Sequence, residues 1–258
     1  MPPRRKNDRA TPGSPFLTQV GLHEDRIVPG THPFTLPFLR FGLSLRLTSP
    51  VTFLVGENGS GKSTLLEALA WSAGFASHGG SRDNRYSEAD DGRALGRALH
   101  LAWRQKVAGG FFMRAETFFN FASYLESVGS TFRAFGGRSL QQQSHGEAFL
   151  AVFKNRFEDG FYLLDEPEAA LSPQRQLAFL RILHDLTTAG VAQFIIATHS
   201  PLLMALPGAA ILSFDSDRIE PIEYRETEHF RLTRDFLDAP ERFFRHLLAD
   251  DADSVEAT

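Results

Sequence analysis

Gly56, Gly61, Lys62 and Ser63 satisfy each fixed position of the phosphate-binding pattern G-x-x-x-x-G-K-[ST]. The full run is Gly56-Glu57-Asn58-Gly59-Ser60-Gly61-Lys62-Ser63-Thr64. Glycines let the backbone curl until successive N–H groups point inward at one phosphate. A helix opening where the loop ends adds its free N–H groups and the positive end of its dipole. In such a cradle the Lys62 ammonium reaches the β- and γ-phosphates of a nucleotide, and the Ser63 hydroxyl is a Mg²⁺ ligand. Gly56 through Thr64 are therefore the candidate nucleotide-binding residues.

A second group of reactive residues lies further along the chain. Phe161-Tyr162-Leu163-Leu164-Asp165-Glu166-Pro167 reads as an apolar strand ending in two acids. In a chain with a phosphate loop, an acid at the end of a core strand is the expected Mg²⁺ partner. Asp165 takes that place, acting through water, and Glu166 is the candidate general base for the attacking water. Gln193-Phe194-Ile195-Ile196-Ala197-Thr198 is a further buried strand. His199 follows it directly, where ligands meet open α/β sheets. From there its ring could hydrogen-bond a γ-phosphate or the attacking water. The catalytic candidates are thus Glu166, His199 and Lys62, and the metal candidates are Ser63 and Asp165.

These groups need elements to hold them. Residues 51–55 read as a buried strand feeding the phosphate loop. The helix after it should run from Lys62 to Ala73, bury Leu65, Leu66, Leu69 and Ala73, and end at Gly74. Phe41, Leu43, Leu45 and Leu47 alternate as in a half-buried strand ended by Pro50. Phe34, Phe38 and Phe41 could stack on a base, although core packing suits each of them better. Residues 76–97 are rich in glycine, serine and mixed charge and read as an exposed loop. Short strands fit Leu99 to Trp103 and Gly110 to Met113, with helices from Ala115 to Val128 and from Glu147 to Phe157. Ser172 is a good N-cap for a helix beginning at Pro173 and reaching Thr188. Residues 210–214 and 219–224 read as closing strands. Thr227 to Leu248 reads as helix, whose aromatic face could dock a partner but better suits packing on the chain's own core.

The chain has 258 residues, of which 42% are hydrophobic, enough for one large domain. It reads as a domain over residues 16–249 between disordered tails at 1–15 and 250–258. A net charge of -4 is mild and neither requires nor excludes a nucleic-acid partner. The lack of cysteine removes disulfides and thiolate metal sites and suits a reducing, cytoplasmic setting. No apolar run approaches the roughly 20 residues that span a bilayer. The basic, proline-rich start has no secretory apolar core.

Several motifs stand in a telling order. They are the phosphate loop, Ser144-His145-Gly146-Glu147 opening a helix, Leu163-Leu164-Asp165-Glu166-Pro167, Glu168-Ala169-Ala170-Leu171-Ser172, and Ala197-Thr198-His199-Ser200. Over residues 38–214 this order resembles an ABC-type ATPase. The chain is most similar there to small bacterial ATPases labelled AAA family, relatives of the SMC-like, RecF-like and OLD-type ATPases. The resemblance implies an α/β P-loop NTPase fold of ABC-ATPase type. Its mixed, mainly parallel sheet is flanked by helices, and a small helical lobe at about residues 76–157 carries the signature motif.

The resemblance also implies ATP as the nucleotide, Mg²⁺ as the cofactor, and hydrolysis to ADP and phosphate. Ser144 and Gly146 become signature residues that reach the γ-phosphate of a second copy in a head-to-tail homodimer. Residues 168–172 match the D-loop. Two positions depart from the pattern. His145 stands at a usual signature glycine, and no glutamine follows a strand in the Q-loop form; Gln105 falls early and Glu116 is better placed. DNA maintenance or defence is the use this branch favours. A transporter's nucleotide-binding subunit and an ATP-dependent protein-binding switch are the alternatives, so DNA and a protein partner both stay open.

Overall fold

The computed structural model describes residues 13–75, 90–115, 147, 149–151, 153 and 159–248. Its strands are β1 (Leu17–Leu22), β2 (Ser44–Arg46), β3 (Val51–Val55), β4 (Leu99–Trp103), β5 (Gly110–Arg114), β6 (Gly160–Asp165), β7 (Ala192–Ala197), β8 (Ala210–Ser213) and β9 (Glu220–Pro221). Its helices are α1 (Lys62–Ala73), α2 (Asp90–Ala98), α3 (Pro173–Thr188), α4 (Pro201–Met204), α5 (Glu228–Asp238) and α6 (Pro240–Leu247). Short helical turns and the helical residues around 147–153 carry no label.

Two sheets form. The smaller is antiparallel, in the order β2-β1-β4. The larger runs β5-β6-β7-β3-β8-β9 and is parallel except for β9. Every residue of β3, β6 and β7 is buried. Parallel strands inside a sheet are covered on both faces, so they read as unbroken apolar runs rather than alternating ones. Alternate side chains then serve opposite cores. Phe53, Val55, Tyr162, Leu164, Phe194 and Ile196 cluster with Phe179 and Leu183 of α3 and with Phe149 and Phe153. Leu54, Leu163, Ile195 and Ala197 cluster with Leu65, Leu66 and Leu69 of α1 and with Val20 and Leu45 of the small sheet. The mixed, mainly parallel sheet flanked by helices is the architecture expected.

Four expectations need correction. The loop assigned to 76–97 gives way to α2 from residue 90 on, with Leu95 and Ala98 buried. Gly92 and Gly96, four apart, let this charged segment lie on α1. A Cβ at Gly92 would come 2.7 Å from the Glu67 Cβ, and one at Gly96 2.9 Å from the Trp71 ring. The strand expected across Phe41–Leu47 shrinks to β2, because Gly42 turns the chain with φ 81°. Phe41 is 60% exposed, with the Arg218 guanidinium 4.6 Å from its ring centroid. The second closing strand is reduced to Glu220–Pro221. The C-terminal helix is two helices, parted where Pro240 cannot continue the hydrogen-bond ladder. Neither buries a residue, and Leu237 and Leu247 are 72% and 68% exposed, so the apolar face does not pack on the core as expected. Residues 1–12 of the expected 1–15 tail, the other expected tail at 250–258, most of the 115–128 helix, and Ser144 and Gly146 lie outside the described residues.

One polar group ties the two sheets together. Gln193, fully buried in β7, accepts the backbone N–H groups of Phe16 and Leu17, each at 2.8 Å, and donates to the Leu17 carbonyl at 2.9 Å. The start of β1 is thereby fastened to the central sheet. A buried amide left without its partner costs its full desolvation penalty. Gln193→Leu is expected to destabilise the fold by about 3 kcal/mol, read as a lower urea midpoint with an unchanged slope.

Candidate functional site

β3 ends at Val55 and the chain enters the phosphate loop with Gly56 at φ 141°, Gly59 at 80° and Gly61 at 97°. These are backbone shapes that side chains disfavour, which is why glycine recurs at that spacing. α1 then opens at Lys62 with no side-chain cap, leaving its first N–H groups directed into the loop. Lys62 is buried, and its Nζ donates to the Gly56 carbonyl at 2.6 Å, the Glu57 carbonyl at 2.8 Å and the Ser60 hydroxyl at 3.4 Å. Burial pushes the Lys62 ammonium below its ordinary value, while Glu166, Asp165, Asp215 and Glu57 pull it back up. Glu57, Asn58 and Gly59 are exposed at the loop's tip.

The acid pair meets this loop from two strands away. Asp165 closes β6, and its Oδ1 accepts the Ser63 hydroxyl at 3.1 Å. Burial pushes the Asp165 carboxyl up, while the Arg114 guanidinium and the Ser63 hydrogen bond hold it down. A serine hydroxyl beside a carboxylate is a hard oxygen set. It suits Mg²⁺, which takes one or two protein oxygens and completes its shell with phosphate and water. Among the described residues, no group of three or more His, Asp or Glu side chains could hold a metal ion. A cleft of about 220 Å³ opens here, lined by Ser63, Arg114, Ala115, Asp165, Glu166 and Ala169.

Glu166 turns the chain out of β6 in a left-handed conformation, φ 50° and ψ 52°, the positive-φ non-glycine among the described residues. Such a shape costs roughly 1–2 kcal/mol and persists only where its surroundings enforce it. Here the Glu166 N–H is tied to the Ala197 carbonyl at 2.9 Å. The half-exposed Glu166 carboxylate then lies 3.6 Å from Nε2 of His199. Lys62, Ser63, Asp165, Glu166 and His199, chosen from sequence alone, thus converge on one rim of the sheet.

Several residues of this site escaped the sequence reading. Arg114 ends β5, where it pairs with Asp165 across the sheet. Its Nε donates to Asp165 Oδ2 at 3.2 Å, and its Nη2 pairs with Glu67 of α1. The signal was faint: an arginine closing an apolar strand, and Glu67 four residues after Ser63 on one helix face. Asp215 falls between the two closing strands read from sequence. Its Oδ1 accepts the Glu57 N–H at 3.1 Å and braces the loop. Glu168 had entered as part of the D-loop resemblance. Its Oε1 accepts the His199 N–H at 2.6 Å, and burial pushes its carboxyl up. Phe38 is buried and meets Phe214 edge-on at 5.1 Å, so it packs in the core rather than waiting for a base. Glu147 is paired with Arg175 at 3.3 Å.

Gly61 rests on the ring of Phe38. A Cβ there would fall 2.6 Å from Phe38 Cε1 and 3.2 Å from Leu36 Cδ1. Gly59 has a comparable φ of 80°, but a Cβ there would meet nothing within 4 Å. Gly61→Ala is therefore expected to cost about 3 kcal/mol, from strain plus clash, and Gly59→Ala about 1 kcal/mol, from strain alone. Urea unfolding of the two variants separates these cases.

Comparisons with known proteins fall on the same residues. Residues 34–102, with the phosphate loop inside, match the AAA domain family. Residues 147–205, with Asp165, Glu166 and His199 inside, match an AAA domain family described under the AbiEii toxin of type IV toxin–antitoxin systems. No curated protein matches the chain. Among solved structures it is similar to the SMC head domain from Thermotoga maritima, at 19% identity and a TM-score of 0.48, over 81% of this chain and 99% of that one. It is also similar to cbiO1 from Clostridium perfringens, part of the ABC transporter complex cbiONQ, at 17% identity and a TM-score of 0.44, over 81% of this chain and 91% of that one. Among the described residues, no helix is long and apolar enough to cross a membrane. A phosphate loop, an acid pair and a histidine thus stand on one rim of a mainly parallel sheet, with AAA domain matches over residues 34–102 and 147–205 of the chain.

Proposed function

We propose that the protein hydrolyses ATP with Mg²⁺ as a head-to-tail homodimer, and that it serves DNA maintenance or defence. The observation that carries the hydrolysis is the convergence of Lys62, the Ser63–Asp165 pair and the Glu166–His199 pair at the ends of β3, β6 and β7. The loop's N–H groups and Lys62 hold the β- and γ-phosphates. Ser63 and Asp165 would hold Mg²⁺, which neutralises charge on the phosphate oxygens.

Glu166 accepts a proton from water as the water oxygen attacks the γ-phosphorus. The bond from that phosphorus to the bridging oxygen breaks, and ADP leaves with the electron pair. His199 hydrogen-bonds the transferred phosphoryl group through its ring N–H. Desolvation of these fixed groups strengthens each contact in the transition state.

The dimer follows from the resemblance of residues 144–147 to the ABC signature, whose partner is a γ-phosphate on another copy. It agrees with the exposed face over Glu57, Asn58 and Gly59. The defence role is supported by the toxin–antitoxin description of the family matching residues 147–205.

Glu166→Gln keeps the shape of the side chain and removes the base. It is expected to lower kcat at least about 100-fold with ATP still bound. The same variant should dimerise with ATP and bind a DNA duplex only then, with affinity falling steeply as salt rises. Unchanged turnover sinks the role of Glu166. A variant that dimerises with ATP yet ignores DNA sinks the DNA role.

A further inference from the structure

The His199 ring is held by a second histidine that no motif of the site contains. Nδ1 of His199 lies 2.7 Å from Nε2 of His229, with ring centroids 4.8 Å apart and planes inclined at 57°. His229 sits in the first turn of α5. That turn is anchored by Thr227, whose buried hydroxyl donates to the Tyr224 carbonyl at 2.8 Å and accepts the Phe230 N–H at 3.3 Å. The backbone of His199 is pinned from the other side by Glu168. What is left of the ring is Nε2, shielded from solvent, without a hydrogen-bond partner, and 3.6 Å from Glu166 Oε1.

We propose that His229 is a positioning residue for His199: it donates a hydrogen bond to Nδ1 and so fixes the tautomer whose proton sits on Nε2. A neutral imidazole has one N–H and one lone pair. Across the 2.7 Å contact one ring must donate and the other accept. If His199 donated from Nδ1, its Nε2 would turn a lone pair toward the Glu166 carboxylate, and the two would repel. If His229 donates, His199 faces Glu166 with an N–H, and the interaction is attractive. The second arrangement is also the one that serves chemistry, since an anionic phosphoryl oxygen accepts and cannot donate. Burial, then Lys62 and His229, push the His199 ring below its ordinary value, which favours the neutral imidazole for which the tautomer question arises. The tautomer stands on this geometry, while its effect on turnover rests on the ATPase reading above.

The outcome is read in two ways. Long-range ¹H–¹⁵N NMR of the nucleotide-free protein reports which ring nitrogen is protonated. Wild-type His199 is expected to carry its proton on Nε2. His229→Ala should convert that ring to a mixture of tautomers, and His229→Gln, whose amide can donate in place of the imidazole, should restore it. In turnover, His229→Ala should lower kcat roughly tenfold, the loss of one orienting hydrogen bond, with KM for ATP moved less than about twofold. His229→Gln should recover most of that loss. A wild-type His199 protonated on Nδ1 overturns the proposal, and needs no variant to be seen. So does an identical tautomer in wild type and His229→Ala. Spectra as expected from a wild-type protein that does not turn over ATP would overturn the ATPase reading and leave the tautomer assignment standing.

Discussion

The site depends on the register of three neighbouring parallel strands. Asp165 pairs with Ala197, and Ala197 pairs with Leu54, so β6, β7 and β3 end on one level. Each strand then spends its next residues on the same rim: Glu166 after β6, Thr198 and His199 after β7, and the phosphate loop after β3. A slip of one residue in β6 would turn Asp165 away from Ser63 and put Leu164 or Glu166 in its place, because side chains alternate between faces. The two cores fix that register, since the same slip would move Tyr162 and Leu164 out of the core they share with Phe179 and bring Phe161 and Leu163 into it from the other. Core packing and site geometry are therefore one constraint.

The charges on that rim are held at a cost. Burial acts on Lys62 and Asp165 in the same sense, toward the neutral form of each. Neighbours oppose it. Four carboxylates surround Lys62, and Arg114 lies against Asp165. Glu67 completes the chain from the far side of Arg114. Because Ser63 and Glu67 are four apart on α1, one helix face supplies both the hydroxyl and the carboxylate that meet this Arg–Asp pair. Groups desolvated and fixed in advance reorganise little when a charged substrate arrives.

What could be seen in the sequence was what repeats locally. The phosphate loop needs glycines at set spacing, α1 needs its stripe and its Gly74 cap, and buried parallel strands need unbroken apolar runs. All of these were legible, and so were the acids and histidine placed at strand ends. What could not be seen depends on contacts between distant segments. Arg114 matters because β5 pairs with β6, Asp215 because β8 ends beside the loop, and Gln193 because β1 crosses β7. Helix α2 was hidden differently. Its composition is that of a loop, and its glycines are there for close packing rather than for turns. The C-terminal helices misled for the opposite reason, since an amphipathic pattern records an apolar face but not what covers it.

The phosphate loop stands on a floor that is not part of its motif. Leu36 and Phe38 lie under Gly61, and Asp215 and Phe214 lie against Gly56. The first pair precedes the loop in the chain and the second follows it after β7, so the two ends of the motif are shaped by opposite flanks of the sequence. The eight-residue pattern is in this sense not portable. Moved to another scaffold it would bring its glycines and its lysine, but their conformation is borrowed from a packing that the pattern does not encode. Divergence at Leu36, Phe38 or Phe214 in a related chain would then be read in how tightly the loop curls, with every letter of the motif intact.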